Sequence, residues 1–166
     1  MGNLAAAWGI AGVSLLLASA IGRLSAVAWQ TLSVPLHPRH WVGLAVSIVV
    51  MGVVEGYYAF QRQFSPRVAA RARHLANHPT LARTVLAPLF CMGFFGAPRR
   101  RRLASAIVTS GIVVLVLLVK RIDQPWRGII DAGVVIALAW GLAALWIFTA
   151  RAFGPQGLDH PAEVVP

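Results

Sequence analysis

The feature that most narrows what this chain can fold into is charge that is missing. Four windows, Leu4 to Gly22, Trp41 to Phe60, Leu103 to Val119 and Gly128 to Ala150, hold no charged side chain except Glu55 and Asp131. Each is close to the stretch of about 20 apolar residues that crosses a bilayer core of about 30 Å as a helix. Only 12% of the 166 residues are charged, while 58% are hydrophobic. A soluble domain is nearer a quarter charged, so the deficit points to lipid as the solvent. The expected fold is an all-α integral membrane protein, a four-transmembrane-helix bundle forming a single membrane domain over residues 1–152. The first window has no helix breaker before Pro35 and can run on toward Leu32. Its Ala18-Ser19-Ala20 resembles a signal-peptidase site, but no Lys or Arg precedes it, so an uncleaved first span is expected.

The few charges are lopsided, 15 Lys and Arg against 5 Asp and Glu. A net charge of +10 raises nucleic acid as a partner, but the basic residues lie between apolar runs, where membrane topology puts them. Membrane lipids with anionic headgroups are the expected partner instead, and no nucleic acid is. The segment between the second and third windows carries Arg62, Arg67, Arg71, Arg73, Arg83, Arg99, Arg100, Arg101 and Arg102. Placing it in the cytoplasm puts ten basic residues inside and five outside, with both termini inside. The style of the sequence suggests a bacterial source, with the inner membrane as the expected location. Trp41 and Trp126 then mark the outer interface, and Trp8 and Trp146 the inner one.

Within that segment, "SPRVAARARHLANHP" has Ser65 to cap a helix, Pro66 for its first turn and Pro79 to end it. The spacing predicts a separate basic amphipathic helix over residues 65–78, lying along the cytoplasmic leaflet. Arg67, Arg71, His74 and His78 share one side of it and, with Arg99 to Arg102, are the expected contacts for anionic lipid or a partner protein. "TVLAPLFCMGFFGA", residues 84–97, covers about 21 Å as a helix, too short to span, and contains Pro88. It reads as a re-entrant or interfacial segment. The Pro- and Gly-rich tail, residues 153–166, reads as disordered.

Small residues four apart allow helices to approach closely in lipid, where nothing hydrophobic drives them together. Gly52 and Gly56 form one such pair; Gly133, Ala137 and Gly141 form another row; Ser14, Ala18 and Gly22 form a third. A carboxylate inside a span is costly, so Glu55 is expected to point into the bundle, with Thr109 level with it and Tyr58 on its face. Arg127 and Asp131 are four apart and can pair at the outer interface, with Arg23 a second partner for Asp131.

Chemistry-bearing patterns are otherwise sparse. The chain has one cysteine, Cys91, so no internal disulfide is available. His74 and His78 have ligand spacing, but His37 and His40 are expected across the membrane from them, and arginines crowd both pairs. No metal site, cofactor or catalytic residue is expected, since the chain has no GxSxG, HExxH, Walker A or GxGxxG motif. Two functional expectations follow. The first is a non-enzymatic accessory or scaffold subunit of a membrane complex, with a protein partner. The second is a small homo-oligomeric transporter or channel using Glu55 as a protonatable intramembrane site.

Overall fold

In the computed structural model, which describes residues 2–155 and 157–164 and only the backbone of Arg101, the chain is helical with no strand among the described residues. The helices are α1 (Gly2–Leu32), α2 (Pro38–Met51), π1 (Gly52–Phe64), α3 (Ser65–Asn77), the short α4 (Leu81–Val85) and α5 (Ala87–Cys91), α6 (Arg99–Val119) and α7 (Trp126–Phe153). Four helices are long and apolar enough to cross a membrane: α1, the continuous α2-π1-α3 rod, α6 and α7.

The rod corrects the expectation of a separate surface helix. Residues Pro38–Asn77 form one 40-residue helix, and no break occurs at Ser65. Ser65 stays in the right-handed helical region, and its N–H donates to the Phe60 carbonyl five residues back. That wider pattern runs from Gly52 to Phe64. Proline lacks an N–H and its ring crowds the carbonyl four residues earlier. The widened turn before Pro66 gives the ring room, and the helix passes through it. Ser65 has no helix start to cap. Its hydroxyl donates instead to the Gly141 carbonyl at 3.3 Å.

α1, the rod and α7 pack into a three-helix body. Arg73 at the end of the rod donates to the Ala152 carbonyl near the end of α7, and Gly43 near its start faces Trp126. The rod and α7 therefore run parallel. Gly2 meets Ala76 and Thr31 meets Gly128, so α1 runs antiparallel to both.

The body has two unlike halves. At the Arg73–Ala152 end a dense core joins Ala5, Ile10, Val13, Val68, Leu75 and Phe90. We call this end the headpiece. α5 packs there on α1 and α3, burying Ala87, Phe90 and Cys91. The segment expected to be re-entrant or interfacial is a cap on the headpiece, broken at Leu86 between α4 and α5, with Pro88 in the first turn of α5 packed on Gly12. The other half is held by close approach of small residues. Gly56 faces Ala137 and Trp140, Gly133 faces Ser47, and Gly141 faces Phe60. Gly52, Gly56, Gly133, Ala137 and Gly141 are all buried. Gly22 and Gly52, by contrast, have open space where a Cβ would stand.

α6 differs from the expected bundle helix. None of its described residues is buried, and it makes no extended packing with any other helix. It touches the body near its start, where the Ser105 hydroxyl donates to the Met92 carbonyl at 3.2 Å. Its second half, Ile112 to Val119, is entirely bulky, and without a small-residue row it offers no groove for close approach.

Candidate functional site

The best-defined polar centre is Arg71. It sits on α3 at 4% exposure, on a helix whose neighbours Ala69, Ala70 and Ala72 let other chain segments close around it. Its Nε donates to the Phe90 carbonyl at 2.7 Å and its Nη2 to the Phe95 carbonyl at 2.7 Å. Its Nη1 reaches the carbonyls of Ala162 and Glu163 in the tail, at 3.2 Å each. The Phe90 ring lies 4.3 Å from the guanidinium carbon, a cation–π contact. All three guanidinium nitrogens are engaged, as a cation removed from water requires. The adjacent Cys91 is 1% exposed, and burial pushes its thiol up to about 12, against the opposing pull of the Arg71 charge. A thiol so protonated is inert near neutral pH.

Sequence reasoning placed Arg71 on a lipid-facing stripe. The structure places it in the headpiece, because α3 continues the rod and is surrounded by α1, α5 and α7. Its stripe neighbours are more open. Arg67 is pinned to Gln63, Nε to the carbonyl at 2.6 Å and Nη2 to the side-chain oxygen at 3.1 Å. His74 is half-buried and stacks on the exposed His78 at 4.7 Å between ring centroids. Arg99, Arg100 and Arg102 are exposed at the start of α6, and the side chain of Arg101 lies outside the described residues.

Glu55 is half-buried on π1 and makes no hydrogen bond or ion pair among the described residues. Thr109 is exposed on α6, which does not pack on π1, so the two are not brought together. Tyr58 is exposed, with Arg62 over its ring at 6.0 Å and over that of Tyr57 at 5.7 Å. One polar contact of this region had no signal in the helical spacing. The Trp140 indole N–H donates to Gln61 Oε1 at 2.6 Å, fastening α7 to π1.

At the end remote from the headpiece, Asp131 is buried and pairs with Arg127 at 3.8 Å. Arg23 is elsewhere, exposed, its Nε donating to the Ser19 carbonyl at 3.3 Å. Gln124 supplies the start of α7, its Oε1 accepting from the Gly128 N–H at 3.3 Å and from Thr31 at 2.5 Å. His40 is buried edge-on to Trp126, with ring centroids 5.3 Å apart. These are the contacts of a fastened helix start. The two histidine pairs lie at opposite ends of the body, and no cluster of three metal-binding side chains occurs among the described residues. A cleft of about 240 Å³ between α1, α2 and α7 is lined by Ala28, Leu32, Leu44, Ile48 and Val135, with Ser25 as its one hydroxyl. No acid–base pair converges on it.

Comparison with protein-family models, curated protein sequences and solved structures finds no match to this chain.

Proposed function

We propose that this chain is a non-enzymatic, multi-pass scaffold subunit of a membrane complex, and that α6 is the element it offers to a partner. One observation carries this reading: α6 is unpacked beyond its start, and past Ser105, which bonds Met92, its hydroxyls make no hydrogen bond among the described residues. These are Thr109 and Ser110. Elsewhere the Ser14 and Ser47 hydroxyls also lack a partner but are shielded inside the body, while those of Ser19, Thr31, Ser33 and Thr149 bond to a backbone carbonyl three or four residues earlier. Gly111, next to Ser110, has open space. Lipid tolerates a bare apolar helix, but small residues and free hydroxyls on one are the means by which membrane helices associate.

The location that fits is a bacterial-type inner membrane with both termini and the headpiece on the cytoplasmic side. The arginine excess supports this orientation, because the headpiece carries Arg67, Arg73, Arg83 and Arg151 and adjoins the arginine run that opens α6. Exposed Arg99, Arg100 and Arg102 then meet anionic headgroups. Native mass spectrometry after gentle extraction tests the reading. A stoichiometric complex with a different protein is expected; a bare monomer or homo-oligomer would refute it.

A second reading draws on Glu55, a half-buried carboxylate in a candidate span that has no partner among the described residues. Under it the chain is a homo-oligomeric transporter or channel, and Glu55→Gln abolishes flux into liposomes while leaving the oligomer intact. Equal flux in that variant excludes it.

A further inference from the structure

α1 and α2 both pack on α7 but make no extended packing with each other. The cleft of about 240 Å³ is the gap this leaves. One face of each helix lines it, with Ser25, Ala28 and Trp29 from α1, Leu44 and Ile48 from α2, and Ala132 from α7. Ala28 and Ala132 carry a single side-chain carbon each, too little to fill the space between three helices. Ala28 and Leu44 are buried, while Trp29 and Ile48 are exposed, so the cleft opens sideways past those two. A second cavity, of about 320 Å³, lies at the start of α2 and is lined by His37, Pro38 and Arg39. Leu44 and Ile48 follow His37 at seven and eleven residues, so this cavity stands over the face of α2 that walls the cleft. Arg39 engages only Nε, which donates to His40 Nε2 at 3.3 Å. Its two Nη atoms make no hydrogen bond among the described residues.

We infer that the cleft and the cavity at His37 to Arg39 together bind one anionic phospholipid, with an acyl chain along the cleft and the phosphate at Arg39. The site lies at the end remote from the headpiece, away from the arginine run that opens α6. It rests on the multi-pass part of the reading above and is independent of what α6 does. Three arguments select this occupant. First, water does not fill the cleft, because Ser25 is the only polar side chain lining it and an ordered water needs about two to four partners. Second, the length fits. The helix from His37 to Ile48 covers about 16 Å, which is about half of a hydrocarbon core of about 30 Å and so the depth of one leaflet. Third, charge is complementary at the mouth. A guanidinium with both Nη atoms open matches a phosphate through two parallel hydrogen bonds. An acyl chain gains no hydrophobic energy by leaving other lipid. It is held in the cleft by dispersion contacts on three sides, which an empty cleft would forfeit, and by its own headgroup.

The test uses the full chain in phosphatidylcholine vesicles that hold a minor share of phosphatidylglycerol with a diazirine midway along one acyl chain. After photolysis, adducts are mapped by mass spectrometry of the digested protein. Trp29 and Ile48 at the cleft should carry more adducts than the equally accessible Val49 and Leu117. One arginine near the surface is worth about a fivefold preference for an anionic lipid. The matching phosphatidylcholine probe should therefore label the cleft about fivefold less, and Arg39→Gln should erase that difference. Ala132→Leu, which fills the cleft, should lower the adducts at Trp29 and Ile48 at least about fivefold and leave those at Leu117 unchanged. Equal labelling of the cleft and Val49, or of the cleft by both probes, overturns the site. If Ala132→Leu unfolds the protein, the two probes on wild-type protein decide. Adducts at Val49 and Leu117 without any in the cleft overturn the site and leave the multi-pass reading standing. Adducts on none of the helices overturn both.

Discussion

At the scale of single residues, the body is decided by where a Cβ has no room. A Cβ on Gly133 would stand 2.8 Å from the Ser47 carbonyl oxygen, against backbone that cannot swing away. Gly133→Ala should therefore force α2 and α7 apart and lower stability by about 1–3 kcal/mol, the range for overpacking. Gly111 on α6 has nothing near it, so Gly111→Ala should be neutral or gain up to about 1 kcal/mol from helix propensity. Thermal unfolding of both variants in one detergent checks the pair; equal midpoints would contradict the packing described. The small-residue rows of π1 and α7 were visible in the sequence because a spacing of four is a local property. The surroundings of Glu55 were not. Thr109 is not brought to Glu55 because α6 does not pack on π1, and which helices pack together is not a local property of the sequence. Nor does the sequence show that Arg71 is buried, since burial of an arginine depends on carbonyls from distant segments, here near residues 90, 95 and 162.

At the scale of elements, the apolar windows gave the long helices because span length and hydropathy need no tertiary information. Ser65, Pro66 and Pro79 look like start and stop signals, but Pro66 only starts a helix if the preceding turn cannot widen. With the turn widened, α3 is a core helix. Leu75 is fully buried there, and Leu75→Ala should cost about 2–5 kcal/mol. Leu117 on α6 is 57% exposed, and Leu117→Ala should change the stability of the isolated chain by no more than about 0.5 kcal/mol. Chemical unfolding in detergent compares the two. A large loss at Leu117 would mean that α6 is packed within the chain after all.

At the scale of the whole molecule, a dense headpiece is joined to a set of long apolar helices in which three approach closely and α6 stands apart. The headpiece has a core like that of a soluble domain, closed by α5 and the tail. In the long apolar helices, packing comes from small residues and a few hydrogen bonds between helices. Neither the unpacked position of α6 nor the return of the tail could be read from the sequence. Hydropathy reports that a helix suits lipid and is silent on which helices it touches. Pro and Gly content reports weak local structure and is silent on a distant arginine that can fix it.

The central claim is that α6 is the surface on which another protein assembles. The measurement that tests it most directly is site-specific photo-crosslinking in the native membrane. A photoreactive amino acid is placed at Ile112 on α6 and, as control, at exposed Val49 on α2. The account predicts a discrete adduct with one foreign protein from Ile112, weakened by Thr109→Val together with Gly111→Leu, and none from Val49. Lipid adducts alone from Ile112, or adducts only with copies of this chain, would contradict it.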